Sequence, residues 1–134
     1  MPSRLFRRET SRRLRLRRER IVDTYLERRH AWMSDRTRPS REMLLEVLDA
    51  AVDAIERDDV EAYCAYTTNV IGDNLQSGFS PIELLAAAQT FEDAVLSHLS
   101  PDQQDLVGDL FLAARNERQA LLYEHISSLQ VQGA

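Results

Sequence analysis

Few residues of this sequence are of a type and spacing that could do catalytic or metal chemistry. Glu27-x-x-His30 has the spacing found in helical di-iron sites, but those sites need two such motifs and two further carboxylates. Arg28 and Arg29 would also repel a cation there. Cys64 has no basic neighbour in sequence that would lower its thiol pKa, so we interpret it as a buried, inert thiol. The sequence predicts no catalytic residue, no metal site and no cofactor.

The three histidines are His30, His98 and His125, and each could in principle bind haem iron. His98 lies near the end of a predicted helix, where a cation would favour the helix dipole. His30 and His125 lie beside charged residues. We therefore assign the histidines to surface or helix-capping positions, and a haem or metal protein remains the weakest of three functional alternatives.

The strongest chemical feature is the stretch SRRLRLRRER at residues 11–20, in a chain whose net charge is −5. Residues 1–41 carry 14 arginines against five acidic residues, a balance of +9, whereas residues 42–134 have a balance of −14. Such asymmetry indicates either an arm that binds an acidic partner or an arm that folds onto its own acidic body. The six arginines of this stretch are Arg12, Arg13, Arg15, Arg17, Arg18 and Arg20.

On a helix these arginines spread round most of the circumference, and Leu14 and Leu16 do not share a face. No aromatic residue lies among them to stack on single-stranded nucleic acid, and no recognition-helix pattern follows. We favour ion pairs with acidic residues of the same chain or of a dimer partner. An acidic protein partner, phosphate contacts with nucleic acid and a membrane surface stay open as alternatives.

Size and composition indicate one globular domain. The chain has 134 residues, of which 43% are hydrophobic, and no apolar run is long enough to span a membrane. The N-terminus lacks the apolar segment of a secretory signal, and a single cysteine forms no internal disulfide. We expect a cytoplasmic protein.

The hydrophobic periodicity predicts an all-α fold of five helices with a long last helix. Ser80-Pro81 and Ser100-Pro101 mark helix starts, and Gly78 suits a left-handed helix end. Residues 1–9 are expected to fray or project, so the chain divides into an arm at 1–13 and a helical domain at 14–134. The predicted helices cover about 10–33, 40–57, 59–76, 81–99 and 101–130.

The stretch SGFSPIELLAAAQTFEDAVLSHL (77–99) resembles the penultimate helix in the N-terminal domain of RsbR-type stressosome proteins. The resemblance covers about residues 14–130, includes the order of the helices, and rests on hydrophobic and structural motifs. The matching positions are Gly78, Ser80, Leu84, Leu85, Ala88 and Phe91.

That resemblance implies a globin-like bundle without haem, usually a homodimer, which is a sensory or regulatory head for an effector domain. This sequence departs from the family in its arginine-rich extension and in carrying no effector domain, so it is either a stand-alone relative or part of a longer protein. Thr67 and Thr68 inherit no phosphorylation role, because the phosphorylated threonines of the family lie outside its helical head.

The sequence thus favours a non-enzymatic bacterial sensory domain in stress signalling, acting on a protein partner through helix packing in a dimer. The alternative is an arginine-armed protein that binds nucleic acid or an acidic partner. A ligand cavity, if present, is expected between the fourth and fifth helices. The aromatic residues expected around that cavity are Trp32, Tyr63, Tyr66, Phe91 and Phe111.

Overall fold

The computed structural model describes residues 2–29 and 39–133, with side chains described up to residue 130. Within these ranges the protein is all-α, as predicted, and contains no strand. The described ranges contain six helices rather than five, because the predicted first helix is divided. The globin-like arrangement remains a prediction. The helices are α1 (Arg4–Leu16), α2 (Arg18–Arg28), α3 (Arg41–Arg57), α4 (Val60–Gln76), α5 (Pro81–Leu96) and α6 (Pro101–Gly133).

The N-terminal residues form a capped helix, so the expectation that residues 1–9 fray is wrong. The Ser3 hydroxyl accepts a hydrogen bond from the Phe6 N–H at 3.0 Å and starts α1 at Arg4. Thr10 and Ser11 are fully buried. Their hydroxyls donate to Phe6 O and Val52 O, so these small residues bring α1 close to α3 without unpaired polar atoms. The expected boundary at residue 13 falls inside α1.

Arg17 separates α1 from α2. Its backbone dihedrals, φ −102° and ψ 9°, lie in the bridge region next to helical values, so the chain bends and then continues as helix. Ile21, Val22 and Tyr25 are the buried residues of α2. Because of the bend, α1 and α2 can both turn one face towards the other helices.

The predicted caps of the later helices are confirmed. The Ser80 hydroxyl accepts from Glu83 N–H at 3.4 Å, and Gly78 has a positive φ of 87°. Ser100 and Gln103 form a reciprocal capping box, in which the Ser100 N–H also donates to the Gln103 side chain at 3.1 Å.

α5 is shorter than predicted, because it ends at Leu96. The N–H groups of His98 and Leu99 donate to the carbonyls three residues before them, which tightens the chain ahead of the Ser100 cap.

The main hydrophobic core takes side chains from all six helices, with α1 packed on α3, α2 on α5, and α4 on α6. Its fully buried members include Leu14, Ile21, Leu48, Val95 and Val107. A second cluster lies where the C-terminal half of α4 and the start of α5 pack on α6. Its buried residues are Ile71, Leu75, Leu84 and Leu122.

The burial of α1 makes a direct prediction. Leu14→Ala should lower the free energy of unfolding by about 2–4 kcal/mol, because a fully buried leucine leaves a cavity. The matched control is Leu16→Ala, whose side chain is 76% exposed and which should cost less than about 0.5 kcal/mol. Urea denaturation measures both, and equal small effects would show that α1 is a detached arm.

Candidate functional site

A cavity of about 320 Å³ lies between α3, α4 and α5, with Tyr25 of α2 in its wall. Its lining is mostly aliphatic and aromatic, as is usual for small-molecule sites. The described residues that line it are Tyr25, Pro39, Ser40, Met43, Leu44, Val47, Tyr63, Tyr66, Thr67, Val70, Ile71, Asn74, Phe79, Leu84, Ala87, Ala88 and Phe91.

The location of this cavity corrects the sequence prediction, which placed it between α5 and α6. Tyr63, Tyr66 and Phe91 do line it, but Phe111 of α6 is not among the described lining residues. The Phe111 ring instead fills the space behind the wall, with its centroid 6.1 Å from that of Tyr63 and 6.3 Å from that of Phe91. Trp32 lies outside the described residues.

Small residues on α5 leave the space open. Ala87 and Ala88, two of the three alanines in the run Ala86-Ala87-Ala88, border the cavity. Their short side chains allow a ligand to approach the α5 backbone closely.

The polar groups in the cavity wall are few and uncharged among the residues described. Tyr25 is 1% exposed, and its hydroxyl is buried without a hydrogen-bond partner in the described structure. Burial raises the pKa of this hydroxyl above its usual value, against the smaller opposing effect of Arg29. The Thr67 hydroxyl is already engaged, because it donates to the carbonyls of Tyr63 and Cys64.

Behind the cavity wall lies a buried ion pair that the sequence analysis missed. Glu92 precedes another acidic residue, Asp93, yet its side chain is only 4% exposed, as is that of Arg118. Arg118 Nη2 donates to Glu92 Oε1 at 3.1 Å, and Arg115 Nη2 lies 3.7 Å from the same oxygen. The pair joins α5 to α6 one residue after Phe91.

This pair is incompletely satisfied. Glu92 Oε2 and Arg118 Nε are buried and have no hydrogen-bond partner among the described residues. Burial raises the pKa of Glu92, and the opposing effect of Arg118 is smaller. Burial, with the Glu92 charge as a second cause, also raises the pKa of Tyr63. No sequence signal marks Glu92 except its position one residue after an inward-facing phenylalanine.

The arginines of residues 11–20 fall into two groups. Arg18 binds both carboxylate oxygens of Asp49 at 2.7 Å, and Arg15 pairs with Glu56 and Asp53 of α3. These contacts agree with the favoured interpretation of ion pairs within the chain, although exposed pairs contribute little stability individually.

The other arginines of this stretch have no such partner. Arg13 Nε donates to the His98 carbonyl at 2.8 Å. The side chains of Arg12, Arg17 and Arg20 form no ion pair with the residues that the structure describes. Among the described residues, Arg12, Arg17 and Arg20 therefore add positive charge beside the ion-paired face of the stretch.

The remaining candidates show no reactive geometry. His98 Nε2 lies 2.9 Å from the Thr24 hydroxyl, and burial and the neighbouring arginines lower the pKa of His98, which disfavours the dipole-stabilising cation expected there. His30 lies outside the described residues. Cys64 is buried, and its thiol pKa is raised by burial, then by Glu117 and Glu61.

The described residues form no metal-binding cluster and no membrane-spanning helix. No group of three or more His, Cys, Asp or Glu side chains is arranged there to hold a metal ion. None of the described helices has both the length and the apolar composition needed to cross a bilayer. Comparison of the chain with protein-family models, curated proteins and solved structures finds no match.

The buried pair predicts a pH-dependent mutational effect. Arg118→Met removes the hydrogen-bonded partner of the buried Glu92 and leaves only the longer contact with Arg115, so we expect a loss of about 3 kcal/mol near neutral pH. The pKa of Glu92 is raised in the folded state. Its contribution to the stability of the fold is therefore present below the ordinary pKa of a glutamate and is lost as pH rises through the folded-state pKa. Removal of Arg118 raises that pKa further, so the loss should be smaller near pH 4 than near pH 7.

Urea unfolding of wild type and variant across this range measures the effect. The control is Arg115→Met, whose side chain is 40% exposed and more distant from Glu92, and which should cost less. A cost for Arg118→Met that does not change with pH would contradict an ionised Glu92 without its Arg118 hydrogen bond as the cause.

Proposed function

We propose that this protein is a non-enzymatic sensory or regulatory domain, similar to the N-terminal head of RsbR-type stressosome proteins. In this proposal it is a homodimer in the bacterial cytoplasm. A small molecule in the cavity between α3, α4 and α5 shifts the packing of the helices, and α6 carries the shift to a signalling partner. The observation that carries the proposal is the cavity itself, about 320 Å³ and predominantly apolar.

α4 and α5 each connect the cavity to α6. Ile71 of α4 lines the cavity and belongs to the same buried cluster as Leu122 of α6. On α5, Phe91 lines the cavity and the next residue, Glu92, binds Arg118 of α6. A ligand that displaces either wall therefore moves groups in direct contact with α6.

α6 also offers a surface that a signalling partner could contact. Leu122 is the last buried residue described along α6, but the helix continues to Gly133. Tyr123, Ile126 and Leu129 are exposed large apolar residues on this continuation. Apolar residues that a monomer leaves exposed along one helix are typical of a contact surface for a partner or a second subunit.

A screen of small apolar molecules by thermal shift tests the proposal. A ligand at one hundred times its Kd should stabilise the fold by about 2.7 kcal/mol. Ala88→Leu fills the cavity and should abolish this shift, whereas Ala120→Leu, on an exposed part of α6, should retain it. With a ligand bound, hydrogen exchange of backbone amides in α6 should change. No stabilisation by any apolar compound, or an unchanged α6, would contradict the proposal.

The alternative is an arginine-armed interaction protein, and one observation favours it: Arg12, Arg17 and Arg20 lack ion-pair partners among the described residues. The exposed Leu16 lies in the same part of the chain. Deletion of residues 1–20 cannot test this alternative, because the deletion would remove Leu14 from the core.

Fluorescence anisotropy with labelled duplex DNA and an RNA strand, over a range of salt, separates the two functions. We expect binding only at low salt, because three arginines release few counterions. The triple variant Arg12→Gln, Arg17→Gln, Arg20→Gln should lose that binding, and Arg57→Gln should keep it. Micromolar binding at physiological salt that the triple variant abolishes would establish the alternative instead.

A further inference from the structure

Among the described lining residues of the cavity, Tyr25 alone has a buried side-chain polar atom, its hydroxyl, that lacks a hydrogen-bond partner. The side chain is 99% buried, since 1% of the residue is exposed, and it packs in the main core beside the cavity. Buried hydroxyls normally have a partner, and an unpaired one is unfavourable. The cavity lies next to this residue, so a ligand bound there could supply a partner for the hydroxyl.

The hydroxyl would act as a hydrogen-bond donor towards such a partner. Burial raises its pKa above an already high ordinary value, so it stays protonated at neutral pH. A phenol donates one hydrogen bond, and a carbonyl oxygen is a suitable acceptor. The ligand should therefore carry an acceptor at the end nearest Tyr25.

The lining also limits the charge of the ligand. No Asp, Glu, Arg, Lys or His lies among the described lining residues, and Arg29, whose charge opposes the effect of burial on the pKa of the Tyr25 hydroxyl, is not one of them. An unpaired charge in such a site is strongly disfavoured. An uncharged ligand fits these surroundings.

The volume limits its size. An engineered cavity of about 150 Å³ holds benzene, so the present volume suits a molecule of about ten to fifteen non-hydrogen atoms. The wall contains the aromatic rings of Tyr63, Tyr66 and Phe91, and a flat or cyclic ligand could pack against them.

We propose that the cavity binds an uncharged, mainly apolar molecule with one carbonyl-type acceptor, a ketone, ester or lactone, whose oxygen accepts a hydrogen bond from the Tyr25 hydroxyl. This inference rests on the proposed function, because it specifies the class of ligand for the same cavity.

Three probes of similar size test the inference by isothermal titration calorimetry on the full chain. Benzylacetone carries the ketone, butylbenzene lacks it, and phenylbutyrate carries a carboxylate. Tyr25→Phe should weaken benzylacetone binding about five- to tenfold more than it weakens butylbenzene binding. This difference corresponds to the loss of one hydrogen bond. Tyr123→Phe, at an exposed position on α6, should change neither affinity. Phenylbutyrate should bind more weakly than benzylacetone.

The stability of the unliganded protein gives an independent readout. Tyr25→Phe should leave the melting temperature unchanged or raise it, because the hydroxyl has no partner to lose. A marked fall would show that the hydroxyl is bonded in the free protein, and would overturn the inference.

The outcomes separate this inference from the proposed function. Benzylacetone and butylbenzene could both bind, lose binding in Ala88→Leu, and respond equally to Tyr25→Phe. In that case the cavity is a ligand site, but the proposed hydrogen bond from Tyr25 to a ligand acceptor is wrong. Tightest binding of phenylbutyrate would overturn the uncharged class alone. If none of the three probes binds, both the ligand class and the cavity as a sensing site are overturned.

Discussion

The structure depends on the burial of one face of the two N-terminal helices against the rest of the bundle. Leu14 of α1 and Ile21 and Val22 of α2 are at most 1% exposed, and Ser11 donates directly to a backbone carbonyl of α3. This contact makes the arginine-rich segment part of the core rather than an appendage. It also fixes α2, and through Tyr25 it supplies one wall of the cavity.

The charges of the protein follow from that packing and fall into two physical situations. Arg15 and Arg18 lie at the edge of the α1–α2 face and meet acidic residues of α3 in solvent, where ion pairs orient helices more than they stabilise them. Glu92 and Arg118 pair inside the protein, where removal of one partner leaves an uncompensated charge. The buried pair is therefore the more sensitive of the two to mutation and to pH.

The cavity and the buried pair are neighbours because α5 presents them from consecutive residues, Phe91 and Glu92. No residue of α6 is among the described lining residues, and Phe111 of α6 packs on Phe91 behind the wall, so a ligand would contact α6 only through that wall. Any signal would pass through the walls formed by α4 and α5. Such coupling requires two alternative packings that a ligand stabilises unequally, since a ligand with equal affinity for both would shift nothing.

The sequence by itself determined the helices and most of their boundaries. Ser80, Ser100 and Gly78 act within three or four residues of themselves, so their capping roles are visible without any tertiary information. Only the tertiary structure decided that one face of the arginine-rich segment is buried, that Glu92 faces inward, and that the cavity lies between α3, α4 and α5. Those features depend on which segments, distant in sequence, pack against a residue. Neither residue type nor local spacing specifies that packing.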